Sequence, residues 1–340
     1  MTALPLPRVR PLELRDTFGR VAADLRVSVT DRCNLRCTYC MPAEGLPWMA
    51  KPEMLDDAEL LRVIGVFVGL GVRQVRLTGG EPTLRRSLVS LVAGIAALSP
   101  RPRIAMTTNG IALDRLAGPL AAAGLDRVNV SLDTVDADQF RTLTLRDRFA
   151  DVERGLKAAA SAGLAPVKVN AVAMRGVNAE SVEELLQWCL DRGYDLRFIE
   201  QMPLDAQHEW DRSQMVTAPE IRERLSRRFL LTPMPSGSRG SAPAELFLVE
   251  GGPQTVGIIA SVTDPFCAAC DRARLTADGQ VRNCLFSGRE TDLRAALRSG
   301  ADDDEIAALI QGEMWRKARG HGIGEPDFVQ PDRPMSSIGG

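Results

Sequence analysis

The sequence predicts an α/β fold, an incomplete (β/α)6 barrel with a smaller C-terminal module. Three observations carry this. Six β-like segments alternate with helix-like ones, a pattern that builds a parallel sheet with helical crossovers. The strands alternate apolar and polar residues instead of running apolar throughout, as strands covered by helices on both faces do. Near residue 235 the texture changes: Pro-Ser-Gly-Ser-Arg-Gly-Ser-Ala-Pro reads as a loop, and short β-like runs follow it. The expected division is therefore residues 1–235 for the barrel and 236–340 for the C-terminal module.

In order, the strand segments are Leu25 to Thr30, Val72 to Thr78, Arg103 to Thr108, Arg127 to Asp133, Pro166 to Met174 and Asp195 to Met202. Helical periodicity runs through Asp56 to Leu70, Leu84 to Leu98, Asp114 to Ala123, Ala150 to Ala162 and Ala179 to Arg192. In the first strand Leu25, Val27 and Val29 oppose Arg26, Ser28 and Thr30. The second sets Val75 and Leu77 against Arg76 and Thr78, the fourth sets Val128, Val130 and Leu132 against Asn129, Ser131 and Asp133, and the fifth opposes Val167, Val169 and Ala171 to Lys168 and Asn170. A barrel reconciles these patterns, with helices over the apolar face and a ligand-holding lumen lined by the polar one. The sixth strand fits less well, because Glu200 and Met202 share parity with Leu196 and Phe198.

With 45% apolar and 25% charged residues in 340, the chain is neither disordered nor fibrous. The longest uncharged stretch, Ser87 to Pro100, falls short of the roughly 20 residues a membrane span needs. The N-terminus lacks the pattern of a secretory signal, so the cytoplasm is the expected location. A net charge of −2 gives no bulk footprint for DNA, RNA or an anionic membrane. Only four of the basic residues are lysines (Lys51, Lys157, Lys168 and Lys317), so a lysine in the interior is an informative event.

Seven cysteines, an odd number without a secretion signal, argue against a disulfide framework. They form two triplets and a leftover. Cys33, Cys37 and Cys40 follow the first strand directly, at the C-terminal face where barrel enzymes place their active sites. Three thiolates with no fourth ligand at hand suit an iron-sulfur cluster with one open iron, whereas a closed zinc site wants four ligands. Cys267, Cys270 and Cys284 repeat the pattern, with zinc a stronger competitor. Cys189, in a helical run, reads as a core thiol.

Arg26, Arg76 and Lys168 project from the polar strand face, and Arg272 and Arg274 stand just beyond Cys270. Five cations on one cavity call for an anion, since buried cations without one are costly. A polyphosphate is the economical partner. Gly79-Gly80-Glu81-Pro82 after the second strand reads on its own as a tight turn.

The run Cys33-Asn34-Leu35-Arg36-Cys37-Thr38-Tyr39-Cys40 resembles the radical S-adenosylmethionine superfamily. That resemblance implies a [4Fe-4S] cluster on Cys33, Cys37 and Cys40, chelation of its open iron by S-adenosylmethionine, and cofactor contacts from Tyr39, Gly80, Ser131 and Met202. Leu25 to Arg32, Val75 to Pro82, Thr107 to Gly110, Asn129 to Asp133, Lys168 to Asn170, Arg197 to Glu200 with Met202-Pro203, the second triplet and the terminal Gly339-Gly340 narrow the resemblance to the molybdenum-cofactor branch. This implies a lyase that rearranges GTP into 3′,8-cyclo-7,8-dihydro-GTP. A second [4Fe-4S] cluster on Cys267, Cys270 and Cys284 is implied to face the guanine base. GTP contacts are implied for Arg26, Arg76, Thr107, Lys168, Arg272, Ala273 and Arg274, and Gly339 and Gly340 form a functional tail. Asp271 stands where the branch has Asn, beside two of the phosphate ligands.

The same resemblance implies an external electron donor, a downstream synthase making cyclic pyranopterin monophosphate, and a homodimer. Two rival readings stay open at this point. One is a peptide-modifying radical enzyme with an auxiliary cluster, which the cation set and the Gly-Gly tail disfavour. The other is a zinc-stabilised nucleotide-binding protein without catalysis.

Overall fold

The computed structural model describes residues 13–235 and 239–339. The six expected strands are β1 (Asp24–Ser28), β2 (Gln74–Thr78), β3 (Arg103–Thr108), β4 (Arg127–Ser131), β5 (Lys168–Ala173) and β6 (Asp195–Glu200). Each pairs in parallel with the next. Thr30, Asp133 and Met202, assigned to strands by pattern, lie instead in the loops that follow them.

The helices are α1 (Asp57–Gly69), α2 (Leu88–Ala96), α3 (Leu113–Ala122), α4 (Ala137–Thr144), α5 (Phe149–Ser161), α6 (Val182–Leu190) and α7 (Ala218–Ser226). Local chemistry explains their starts. At α1 the Asp56 carboxylate accepts the Glu59 N–H at 2.8 Å while the Glu59 carboxylate accepts the Asp56 N–H at 2.9 Å, a reciprocal capping box. The helix then turns Leu60, Val63, Ile64, Phe67 and Val68 onto the sheet, and each such side chain contributes roughly 1.5–3 kcal/mol by its burial. The α2 segment starts later than its periodicity suggests, because Pro82–Leu84 forms a separate 3-10 turn capped by Glu81.

The C-terminal part contributes β7 (Leu231–Pro233), β8 (Glu245–Val249), β9 (Thr255–Ile259), β10 (Arg272–Leu275), β11 (Gln280–Arg282) and β12 (Thr291–Asp292), then α8 (Leu293–Arg298), α9 (Asp303–Trp315) and α10 (Met335–Ile338). These strands complete the same sheet, whose order is β12-β11-β10-β1-β2-β3-β4-β5-β6-β9-β8-β7. β10 lies parallel to β1 and β9 parallel to β6, so eight parallel strands form the half-barrel and antiparallel strands flank it. The C-terminal strands thus continue the barrel sheet across the boundary expected near residue 235. That boundary falls inside the β7–β8 hairpin, where Leu231 pairs with Val249, and separates no sheet from another. The physical reason is that β1 and β6 would otherwise be bare edges, and the C-terminal strands cover both.

The two sheet faces are as the parity predicted. Leu25, Val27, Val75, Leu77, Ile104, Met106, Val128, Val130, Val169, Leu196 and Phe198 are buried in the apolar core. The sixth strand also obeys the rule. Glu200 lies on the core side with no exposure, where it accepts main-chain N–H groups of Ala218, Val262 and Thr263 at 2.7–2.9 Å and the Thr263 hydroxyl at 2.5 Å. It pins the start of α7 and the loop after β9.

Candidate active site

The polar strand face lines one cavity of about 890 Å³, and both thiol triplets open onto it. All seven cysteines are free. Cys33, Cys37 and Cys40 sit in the loop after β1, which is clamped at several points. The Arg36 guanidinium donates to the Cys33 and Leu35 carbonyls, both at 2.8 Å, and the Thr38 N–H reaches the Leu143 carbonyl at the end of α4. Burial pushes the Cys33 thiol up to about 11 and the Cys40 thiol up to about 12. Deprotonation there needs a compensating cation, which a metal centre supplies.

Gly79 and Gly80 bring the β2 loop against this one. The Gly80 N–H donates to the Thr30 carbonyl at 2.8 Å and the Glu81 N–H to the Arg32 carbonyl at 2.7 Å. A Cβ on Gly80 would stand 2.3 Å from the Arg32 carbonyl oxygen, and Gly79 adopts a φ of +143°. Only glycines allow that approach. The buried Glu81 carboxylate accepts the Thr83 and Thr108 hydroxyls and the Asn109 N–H, tying the β2 and β3 loops together, while burial raises its pKa. Tyr39 donates to Asp133 at 2.9 Å, and the other Asp133 oxygen accepts the Val172 N–H at 2.9 Å; burial pushes this carboxyl up to about 6. Ser131 and Met202 also line the cavity.

The second triplet stands across the cavity. Cys267 lies in the 3-10 turn Phe266–Ala269 before β10, Cys270 caps the end of that turn, and Cys284 follows β11. The Arg20 guanidinium holds the Cys267 carbonyl at 2.7 Å. Burial alone would raise the Cys270 thiol, but the Lys317 and Arg272 cations outweigh it and hold the thiol below its usual range. Among the described residues, no three His, Cys, Asp or Glu side chains converge on a point where one metal ion could be held. Within each triplet the thiols lie close enough to act on one another electrostatically, and three thiols without a fourth side-chain ligand suit a polynuclear cluster with an open iron better than a closed four-ligand ion.

Between the triplets lies a row of cations that the sheet register assembles. Arg26 is flanked by Arg274 on β10 and by Arg76 on β2. Burial lowers the Arg26 pKa and the Arg272, Arg274 and Arg76 charges lower it further; Arg76 and Arg274 are each pushed down to about 10, chiefly by burial. Lys168 has a partial counter-charge in Asp195 at 3.4 Å. The Arg26 Nε and the Arg76 Nε and Nη1 are buried without a hydrogen-bond acceptor. Such donors ask for an anion from outside the chain.

Sequence reasoning missed Arg197 of β6. Its Nε and Nη2 are likewise buried and unpartnered, and burial with the Arg76 charge pushes its pKa down to about 9. The signal was present: Arg197 has the opposite parity to Leu196 and Phe198. Asn129 and Asn170 on the neighbouring strands also carry unpartnered buried Oδ1 atoms. Thr107, Arg272 and Arg274 line the cavity as expected. Ala273 pairs in register with Leu25 and its side chain is buried in the core, so its main chain is the part that can face a ligand. Asp271 uses its carbonyl to accept the Ala23 and Asp24 N–H groups at the start of β1.

The tail is ordered where it is described. Gly339 has a φ of +83°, and a Cβ there would meet Thr78 and Ser28 at 3.2–3.3 Å. Its carbonyl accepts a hydrogen bond from Arg274 Nη1. Gly340 lies outside the described residues.

A parallel half-barrel with three thiols over the end of its first strand is the architecture of a radical S-adenosylmethionine protein. Residues 27–189 match the profile of the Radical SAM superfamily, and residues 194–323 match that described as Molybdenum Cofactor Synthesis C. The chain is 63% identical, over 96% of each chain, to the GTP 3′,8-cyclase of Streptomyces coelicolor, and 58% identical to that of Mycobacterium sp. strain KMS over 99% of this chain and 96% of the relative. The chain belongs to the GTP 3′,8-cyclase family. Solved structures share the fold at low identity. They include Streptococcus suis SuiB bound to S-adenosylmethionine (TM-score 0.59, 14% identity, 86% of this chain and 68% of that one) and anSMEcpe with bound AdoMet (TM-score 0.58, 16% identity, 88% and 82%).

Proposed function

We propose that this chain converts GTP into 3′,8-cyclo-7,8-dihydro-GTP, with the triphosphate on the cation row and the ribose and base between the thiol triplets. The carrying observation is the set of buried, unpartnered guanidinium donors of Arg26, Arg76 and Arg197 in a cavity shared by both triplets. Cys33, Cys37 and Cys40 would hold one [4Fe-4S] cluster and Cys267, Cys270 and Cys284 the other. When bound, the first cluster and S-adenosylmethionine would supply a carbon-centred radical able to take hydrogen from C3′, and joining C3′ to C8 of guanine would then need one electron and one proton to give the 7,8-dihydro nucleotide.

The chain's own residues position and enclose. Gly80, Ser131, Met202 and the Tyr39 loop hold the sulfonium cofactor, with Tyr39 fixed by Asp133. Arg26, Arg76, Arg197, Lys168, Arg272 and Arg274 fix the phosphates, and Thr107 sits one strand away from Arg76. Guanidinium forks match phosphate oxygens and hold the nucleotide in one orientation. That orientation lets a carbon radical meet a single hydrogen. Gly339 packs beside Ser28 and Thr78, where a side chain would be crowded, and the Gly339-Gly340 pair forms the functional tail. The barrel up to residue 235 thus carries the sulfonium site, and residues 236–340 carry the second cluster and the tail.

An external one-electron donor and a separate enzyme that rearranges the cyclised nucleotide to a pyranopterin complete the scheme. The chain works in the cytoplasm as a homodimer. No helix among the described residues is long and apolar enough to cross a membrane.

The test is anaerobic incubation of the reconstituted chain with GTP, S-adenosylmethionine and dithionite, with identification of the nucleotide formed. A cyclised guanine nucleotide with 5′-deoxyadenosine is expected. Both clusters intact with no such product overturns the reading.

A further inference from the structure

Lys317, just after α9, is an interior lysine with 4% exposure. Its Nζ lies 2.8 Å from the Arg272 carbonyl oxygen, 3.3 Å from the Cys270 carbonyl oxygen and 3.3 Å from Cys270 Sγ. An ammonium has three hydrogens to donate, and these three acceptors use them. None is a carboxylate, and among the described residues Lys317 forms no ion pair. A buried ammonium without a counter-charge is costly. Of its acceptors only the sulfur can carry a full negative charge.

We propose that Lys317 is a positioning residue for the second cluster, which holds Cys270 by a charge-assisted N–H···S bond and raises the reduction potential of the cluster on Cys267, Cys270 and Cys284. The inference rests on the assignment of those three ligands. One-electron reduction adds a negative charge that is shared by the cluster and its thiolates, so an ammonium in contact with a ligand sulfur favours the reduced form. Hydrogen bonds to sulfur and local net charge are the protein's main means of setting such potentials.

The first triplet has contrasting surroundings. Glu81 and Arg36 act electrostatically in opposite senses on Cys33, Asp133 acts on Cys37 and Asp205 on Cys40, and the Arg36 guanidinium gives its hydrogen bonds to main-chain carbonyls and not to a thiol. Two clusters of one chemical type are thereby given different potentials within one cavity. The lower one stays at the site that must reduce a sulfonium.

The experiment titrates the anaerobically reconstituted full chain, wild type, K317M and K317R, with dithionite while electron paramagnetic resonance follows each cluster. In K317M the ratio of reduced to oxidised second cluster at a fixed potential should fall roughly tenfold, which is about 59 mV for a one-electron couple. The first cluster should not move, and K317R should stay close to wild type. An unchanged second-cluster midpoint in K317M, or an equal shift of both clusters, overturns the proposal. If K317M loads only one cluster, K317Q takes its place with the same shift required. Wild type holding iron for one cluster alone overturns the ligand assignment instead, and iron analysis tells that failure from an absent shift.

Discussion

The Arg274 guanidinium donates to the main-chain carbonyl of Gly339, so one cation of the buried arginine row also holds the segment that follows α10. On the proposed assignment, that segment and the phosphate site share one side chain. Arg274→Ala should therefore lower kcat as well as raise KM for GTP. Loss of a hydrogen bond involving a charge is worth about 1.5–3 kcal/mol, which corresponds to a fall of roughly 10- to 150-fold in kcat/KM. Steady-state kinetics, with circular dichroism confirming the fold, reads it. A pure KM effect would show that the tail bond is idle.

Arg197 gives a prediction in which stability and function move apart. Its guanidinium is buried with two unpartnered nitrogens, a cost carried by the ligand-free chain. Arg197→Met should stabilise that chain by about 1 kcal/mol or more, because an apolar group replaces an uncompensated cation. It should also reduce the melting shift produced by GTP. Thermal unfolding with and without GTP checks both, and a variant less stable than wild type in each state contradicts the account.

The cysteines separate cleanly. Cys284→Ala should halve the iron retained after anaerobic reconstitution and leave the first cluster's spectrum in place. Cys189 is fully buried in the core, where burial raises its pKa, and Cys189→Ala should leave iron content unchanged. Iron and sulfide analysis distinguishes the two, and full iron in Cys284→Ala removes that residue from the ligand set.

Acid should loosen one corner of the fold through Glu220. Arg175, 2.6 Å from its Oε1, and the Thr217 N–H, 2.8 Å from Oε2, pull the Glu220 carboxyl down from 4.5 to about 2. A carboxyl held low in the folded state contributes stability that is complete above its ordinary value and is lost as the pH falls through the folded value. Melting temperature should thus drop between pH 4.5 and 2 more steeply in wild type than in Glu220→Gln. The pair is partly exposed and screened by solvent, so the difference stays below about 1 kcal/mol. Parallel curves would dismiss the contribution.

Arg333 offers a separate handle on the tail. Its fork meets both oxygens of Asp278, at 3.1 and 2.8 Å, and its Nε reaches Glu290 at 2.7 Å, immediately before α10. Asp278→Asn should free the last turn. We expect lower turnover and faster amide exchange over 335–339, with iron content as in wild type. Protection unchanged in that segment would discard the clamp.

Much of this site was legible because strand chemistry has a period of two. Arg26, Arg76 and Lys168 could be placed in a lumen from parity alone. Arg197 obeys the same rule, but Glu200 obscured it, since a carboxylate at a core position looks like a polar face until its main-chain donors are seen. The tail illustrates a second kind of gap. Nothing within Ser336 to Gly339 signals order, because the contacts that fix it come from Arg274 and from Ser28 and Thr78 on distant strands. Helix α4 escaped notice because it is short and polar, buries only Phe140, Leu143 and Thr144, and receives its start from Asp136. Which strand lies beside β1 was illegible in principle: a strand's pattern records which face is buried and not the identity of its neighbour.

That neighbour matters for how the protein is made. β10 is synthesised long after β1, and β9 after β6, so both ends of the emerging parallel sheet stay open until the last third of the chain arrives. Open strand ends invite pairing with other chains, and late long-range pairing slows folding. The nascent barrel with its three thiols is exposed throughout that interval. A chain arrested before β10 should accordingly be more prone to aggregation and to thiol oxidation than the finished protein, which makes the C-terminal strands a seal on synthesis as well as a wall of the cavity.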